Sequence, residues 1–217
     1  MAPLQFFIRS SKEEAPTAGA LVAAIRKVVP YLETRRCLDR ILEGLEAVNG
    51  RSVAVTSFEP REGKSVLCLA LAAAARERGL KVLILDSATF VRPGSVSLEE
   101  ALEVEESSGE TVATSPALPG VDYQPWIFRD GARIKEGRAE LERLARSYDL
   151  VLLDTAALNA HNRANVDPQI CARLTDGTIL VGSGQGSLSE RSQALLADMK
   201  TMGVRFLGLV GNRGAVV

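Results

Sequence analysis

Ser52-Val53-Ala54-Val55-Thr56, then Ser57-Phe58-Glu59-Pro60-Arg61-Glu62-Gly63-Lys64-Ser65, then an Ala/Leu helix to Arg78, then Lys81-Val82-Leu83-Ile84-Leu85-Asp86: the reading of this stretch decides the fold. A β-rich run, a tight loop ending in Gly-Lys-Ser, a helix and a second β-rich run ending in aspartate are the parts of a phosphate cradle. Backbone N–H groups of such a loop and of the helix N-terminus converge on an anion. Lys64 is placed to neutralise the outer phosphates, and the hydroxyl of Ser65 to ligate a magnesium ion. The stretch therefore predicts a nucleotide site.

The chain has 217 residues, 46% apolar and 24% charged, with a formal charge of -1 from 26 basic and 27 acidic side chains. That length buries one α/β core and makes a second domain unnecessary. Balanced charge leaves no overall cationic field for sequence-independent binding to nucleic acid or anionic lipid, so no nucleic-acid partner is expected. Cys37, Cys68 and Cys171 are scattered, without a CxxC and with one histidine, His161. They read as reduced, structural cysteines of a cytoplasmic protein. The longest wholly apolar run, 66–75, is half a membrane span, and the N-terminus turns charged between Arg9 and Glu14. Neither a transmembrane helix nor a signal peptide is expected, so attachment to the inner face of a membrane would come through a partner.

Residues 1–19 read as a tail with little fixed structure, and 20–217 as one domain with N-terminal helices in 20–48 and a core over 52–217. Apolar residues recur at helical spacing from Ala20 to Val29, and again over 35–48 with Leu38, Ile41, Leu42 and Leu45 on one face. The helix 64–78 stops at Gly79, a residue suited to a left-handed cap. Val82 to Leu85 reads as a buried parallel strand. Ser97-Leu98-Glu99-Glu100 fits a capping box opening a helix to about Glu106, and 110–125 reads as a loop with one strand at 111–114. A helix over 131–147, a strand over 150–153 stopping at Asp154, a short helix near 168–174, a strand over 178–181, a helix over 188–202 and a strand over 206–210 complete the chain. Strands alternating with helices predict a doubly wound, mostly parallel sheet with helices on both faces, and ligands at the C-terminal strand ends.

The general pattern G-x-x-x-x-G-K-[ST] is not met, because Phe58 stands at the first glycine position. Its context carries the assignment: a strand before, a helix after, and two further strands ending in Asp86 and Asp154. With these blocks the chain resembles the bacterial tyrosine kinases (BY-kinases) of capsule and exopolysaccharide systems, within the ParA/MinD group of deviant Walker P-loop ATPases. The resemblance runs from about Arg40 to Asn212. It rests on Val55-Thr56-Ser57 followed by Pro60-x-Glu62-Gly63-Lys64-Ser65, Gly79 to Asp86, Arg92-Pro93, Tyr148 to Thr155, Asp176 to Val181, and Gly203-Val204 with Leu207 to Asn212.

The resemblance implies ATP or ADP with Mg2+ as cofactors. It implies phosphate binding by Pro60, Arg61, Glu62, Gly63, Lys64 and Ser65, with Val66 continuing the set, and Lys64 on the β and γ phosphates. Ser65, Asp86 and Asp154 are the implied metal residues. Asp86 corresponds to the first carboxylate of the family's second Walker motif, near the metal and the incoming tyrosine hydroxyl. Asp154 corresponds to the Walker B carboxylate, and Asn212 to a position that meets the adenine base. The implied partner is a transmembrane polysaccharide copolymerase or chain-length protein. The family's N-terminal helices further imply a homo-oligomer.

Departures bear on activity. The family's second Walker motif carries Asp-x-Asp, and here it reads Asp86-Ser87-Ala88. Arg61 replaces a glycine or small residue; its charge could face a phosphate, or its side chain could point away or narrow the site. Glu59 stands where ParA/MinD proteins place their signature lysine, against an ordinary partitioning ATPase. The tyrosines are Tyr31, Tyr123 and Tyr148, so the family's tyrosine-rich tail is not met after position 148. Gly182-Ser183-Gly184-Gln185-Gly186 reads as a strand-to-helix turn, 99–110 as a solvated acidic helix face, and His161 as incidental beside Asn159 and Asn162. Three readings follow: a tyrosine kinase-like protein, weakly active or substrate-directed; a non-catalytic regulatory subunit of a membrane copolymerase; and a ParA/MinD-like positioning ATPase.

Overall fold

Ser52–Ser57 is buried at every position, and a strand buried on both faces belongs in the middle of a parallel sheet. The computed structural model, which describes residues 4–6, 25, 32–87, 97–104, 112–126, 134–160, 166–182 and 189–212, puts it there. In chain order the elements are β1 (Leu4–Phe6), α1 (Leu32–Glu46), β2 (Ser52–Ser57), α2 (Lys64–Glu77), β3 (Val82–Asp86), α3 (Leu98–Leu102) and β4 (Ala113–Thr114). They continue with β5 (Val121–Pro125), α4 (Ile134–Ala145), β6 (Leu150–Asp154), α5 (Pro168–Leu174), β7 (Gly177–Gly182), α6 (Glu190–Thr201) and β8 (Phe206–Asn212). The eight strands run in the order β1-β8-β7-β2-β6-β3-β5-β4, all pairs parallel except β4 with β5.

Alternation along the strands sorts side chains to two faces. Val82, Ile84, Leu150, Leu152, Val53 and Val55 pack with Leu38, Ile41 and Leu45 of α1, Leu67 and Leu71 of α2, and Leu98 and Leu102 of α3. On the other face Leu83, Leu85, Val151 and Leu153 meet Leu141 and Leu144 of α4 and Cys171 and Leu174 of α5, while Ala54 meets Met199 of α6. The result is the expected three-layer α/β sandwich. The predicted stripe of α1 is core, with Leu38, Ile41 and Leu45 at most 2% exposed.

Three expectations are corrected. The tail was expected to have little fixed structure, yet Leu4–Phe6 pairs with Val210–Asn212 at the sheet edge. Edge pairing uses backbone groups, which local composition does not reveal. Residues 110–125 were expected to be a loop with one strand; they also contain β5, which pairs with β3 over its whole length. Asp122 and Gln124 break its apolar run, and the strand is recognisable only as an alternation with Val121 and Tyr123 toward the core. Ser97 caps α3 with the predicted box, closed by Glu100. Of the helix expected over Ala20 to Val29, Ile25 is described, helical and buried. The helix expected to run to about Glu106 stops at Leu102, where Glu103 takes a left-handed conformation (φ 54°) that ends the helical hydrogen bonding. Ala88, Arg92-Pro93, the start of the helix at Gly131, His161, Asn162 and 183–186 lie outside the described residues.

The N-terminal edge is clamped by Asp176. Its Oδ2 accepts hydrogen bonds from the N–H of Arg51 (2.9 Å), the N–H of Ser52 (3.0 Å) and Oγ of Ser52 (2.7 Å). Asp176→Ala removes a charged acceptor from three donors across β2 and β7. It is expected to lower stability by about 2–3 kcal/mol, read as a lower urea midpoint at unchanged m.

Candidate functional site

The loop between β2 and α2 is built from constrained backbone. Gly63, the N-cap of α2, has φ 96°, and Arg61 has φ 68°. A left-handed residue turns successive N–H groups toward the space above the helix N-terminus, which makes an anion-binding concavity. For Gly63 that geometry is free of Cβ strain; for Arg61 it costs about 1–2 kcal/mol. Arg61→Gly exchanges that strain for the greater unfolded-state freedom of glycine. The thermal midpoint is expected to rise by about 1–4 °C, and a fall would mean that the side chain makes a contact worth more than the strain.

Side chains brace the loop from within and from β6. The N–H of Glu59 donates to Oε2 of Glu62 at 2.9 Å, and Oγ of Ser57 donates to the carbonyl of Glu59 at 2.7 Å. Lys64 Nζ donates to Oγ of Ser57 at 3.1 Å, which holds the ammonium at the end of β2. The segment after β6 runs alongside: the N–H groups of Leu158 and Asn159 donate to the carbonyls of Ser57 and Phe58 at 2.8 and 3.0 Å. Asn159 Nδ2 donates to Oε1 of Glu59 at 2.7 Å. Glu59 therefore holds two loops together.

The strand order brings the predicted carboxylates to this loop. β6 inserts between β2 and β3, so Asp154 pairs with Asp86 on one side and with Val55 on the other. Ser87 locks the two strand ends, donating to the carbonyl of Asp154 from N–H and Oγ at 3.0 and 2.9 Å. Ser65 Oγ donates to Asp154 Oδ2 at 2.5 Å. The other oxygen, Oδ1, is buried without a hydrogen-bond partner, and the residue is 2% exposed. Burial pushes the Asp154 carboxyl above its ordinary range, opposed by the charge of Lys64 and the hydrogen bond from Ser65.

A buried carboxylate oxygen without a donor is costly unless a cation completes it. A hydroxyl and a carboxylate in contact, with a second aspartate at the next strand end, are hard oxygen donors. Among the described residues no group of three or more His, Cys, Asp and Glu side chains gathers into a cage. Magnesium keeps waters and takes one or two carboxylates together with phosphate oxygens, a demand that the Ser65 hydroxyl and the carboxylates of Asp154 and Asp86 match in kind. The residues present fit the ion.

Other predicted residues are placed less centrally. Pro60 and Val66 are half-buried at the loop and the first turn of α2. Asn212 ends β8, two strands from β2 and hence about 10 Å away along the same edge. The three cysteines are buried and free; burial pushes Cys37 and Cys171 up to about 12 and raises Cys68 as well, as structural thiols require.

Sequence reasoning passed over Tyr123, whose hydroxyl reaches Oδ2 of Asp86 at 3.5 Å from a ring 2% exposed. The signal available was its place in the alternation of β5. Glu99, expected on a solvated face, is half-buried and lies beside the same hydroxyl. Ser57 was visible only within the Val-Thr-Ser block.

No family model matches the chain. Over 180 residues it is 27% identical to the tyrosine-protein kinase YwqD of Bacillus subtilis (strain 168), covering 75% of this chain and 72% of that protein. In fold it is similar to the chimerical protein CapA2B2, with a TM-score of 0.65, 18% identity, and 98% and 94% of the two chains covered. The kinase domain of the Escherichia coli tyrosine kinase ETK gives a TM-score of 0.60 at 20% identity, covering 94% of this chain and 82% of that one. The septum site-determining protein MinD of Pyrococcus horikoshii OT3, complexed with Mg-ADP, gives 0.53 at 19% identity, covering 75% and 70%. Among the described residues no helix is long and apolar enough to cross a membrane.

Proposed function

We propose that this chain, a P-loop protein resembling the bacterial tyrosine kinases in sequence and sharing their fold, binds ATP or ADP with Mg2+ at the C-terminal edge of β2, β6 and β3. The observation that carries this reading is the Ser65–Asp154 contact with its unpaired Oδ1, beside Asp86 in register. Magnesium, when bound, would supply the positive charge that stabilises the phosphate oxygens. Ser65 and Asp154 would hold it, with Asp86 alongside. Lys64 would exchange Ser57 Oγ for the β and γ phosphates, and the loop N–H groups would take the remaining oxygens.

The reaction that this arrangement supports is in-line transfer of the γ-phosphoryl group to a tyrosine hydroxyl. The phenolic oxygen bonds to the γ phosphorus as the bond to the β–γ bridging oxygen breaks, ADP leaves, and Asp86 takes the phenolic proton or orients the hydroxyl. The process is regulation of exopolysaccharide synthesis or export, with a transmembrane copolymerase or chain-length protein as partner and the inner face of the membrane as the place of action. Ala88, where the family's motif has a second aspartate, favours a second reading, a regulatory subunit whose nucleotide occupancy controls that partner.

Titration calorimetry with ATP and ADP, with and without magnesium, tests the site, and phosphotyrosine detection after incubation with ATP tests the reaction. Micromolar, magnesium-dependent binding with phosphotyrosine supports the kinase reading, and binding without phosphotyrosine the regulator. Nucleotide-dependent dimers without phosphotyrosine would favour a positioning ATPase. No binding by folded protein would overturn the nucleotide site.

A further inference from the structure

Tyr123 is a large polar side chain that the proposed reaction leaves unused. It pairs in register with Ile84, two residues before Asp86 on the neighbouring strand. Paired residues of parallel strands face the same side, as do residues two apart along a strand. The ring therefore stands on the α1/α2 face, as Asp86 and Asp154 do, in the core cluster that holds Ile84, Leu98 and Leu102. Its hydroxyl leans along the strand to Asp86 Oδ2. Glu99, in the first turn of α3, is the second carboxylate beside that hydroxyl. A tyrosine has one proton to donate, and ionised carboxylates only accept.

We propose that Tyr123 is a positioning residue for Asp86: its buried hydroxyl fixes the direction of the Asp86 carboxylate toward the Ser65–Asp154 contact, with Glu99 as the competing acceptor. The inference rests on the reading of this edge as a magnesium-nucleotide site. It gives one aspartate a defined orientation where Ala88 leaves the motif without its second acid. A phenol keeps its proton at neutral pH, so the Tyr123 hydroxyl has a hydrogen to donate to a carboxylate.

The test is a double-mutant cycle with Tyr123→Phe and Asp86→Asn, read by calorimetry of ATP binding in saturating magnesium and in EDTA. Tyr123→Phe is expected to keep the affinity measured in EDTA and to lose about 2–10-fold of the affinity that magnesium adds, the worth of one hydrogen bond. Asp86→Asn is expected to lose the same component, with no further loss in the double variant. Glu99→Gln, which weakens the competing acceptor, is expected to move the magnesium-dependent affinity the other way, by about twofold. Equal losses with and without magnesium, or additive losses in the double variant, would make Tyr123 a structural residue and overturn the inference. Tyr123→Phe indistinguishable from a magnesium-responsive wild type overturns it while the nucleotide site stands. Wild-type protein that binds no nucleotide overturns both. Should Tyr123→Phe not fold, an unchanged Glu99→Gln overturns it.

Discussion

Lys64→Met is expected to reduce ATP affinity by about 100-fold, equivalent to about 2.7 kcal/mol. Charge-assisted hydrogen bonds to phosphate contribute about 1.5–3 kcal/mol each, and Lys64 has a reachable place for one. Its Nζ rests on Oγ of Ser57 at the end of β2, one residue from the serine that contacts Asp154. Methionine keeps the stem length and removes the ammonium. The same change acts on the nucleotide-free protein, because the charge of Lys64 is the main effect opposing the burial of the Asp154 carboxyl. The variant's stability should therefore fall more steeply than wild type as pH rises from acid toward neutral. Calorimetry and pH-resolved melts read both effects. ATP binding within threefold of wild type would remove Lys64 from the site.

Asp154→Asn should move stability and binding in opposite directions. Burial, the largest cause, pushes the folded-state carboxyl of Asp154 above the ordinary carboxylate range. A raised folded pKa means that protonation favours the folded state. Below the unfolded pKa that contribution is fully present; it is lost as pH rises through the folded pKa. At pH 7 the nucleotide-free wild type therefore carries a poorly satisfied buried carboxyl that asparagine relieves. The variant is expected to be more stable by about 1–3 kcal/mol at pH 7, the cost of one such group, with the gain shrinking to near zero at acid pH where both states are protonated. In the same variant the gain in ATP affinity from magnesium should largely vanish, because an amide replaces the ion's carboxylate. A neutral-pH melt below wild type would show that Asp154 is a stabilising residue of the fold; retained magnesium dependence would take it out of the metal site.

Local grammar explains how much was legible. α2 begins at Lys64 as the Gly-Lys-Ser block predicts, its backbone returns at a left-handed Gly79, and α3 opens with the predicted capping box. These features depend on residues a few positions apart. β5 escaped because its alternation is short and ends in Pro125, and β1 because an edge strand is stabilised by backbone groups of β8. The helix expected to end at 147 is observed to end at Ala145, and that expected over 188–202 is observed at Glu190–Thr201, differences of the size at which helix ends fray.

The chain by itself determined that a phosphate loop joins a buried strand to a helix, that two further strands end in aspartate, and that the sheet is mostly parallel. Those outcomes follow from hydrophobic runs, helical spacing and a glycine that permits a left-handed N-cap. Only the tertiary structure decided which strand ends are neighbours. β6 could have paired at either side of β2; its place between β2 and β3 sets Asp154 against both Ser65, 89 positions earlier, and Asp86. The same packing set Asn159 on Glu59 and Tyr123 on Asp86. Such contacts arise from the mutual burial of whole strand faces, a property of the assembled sheet that no short stretch of residues contains.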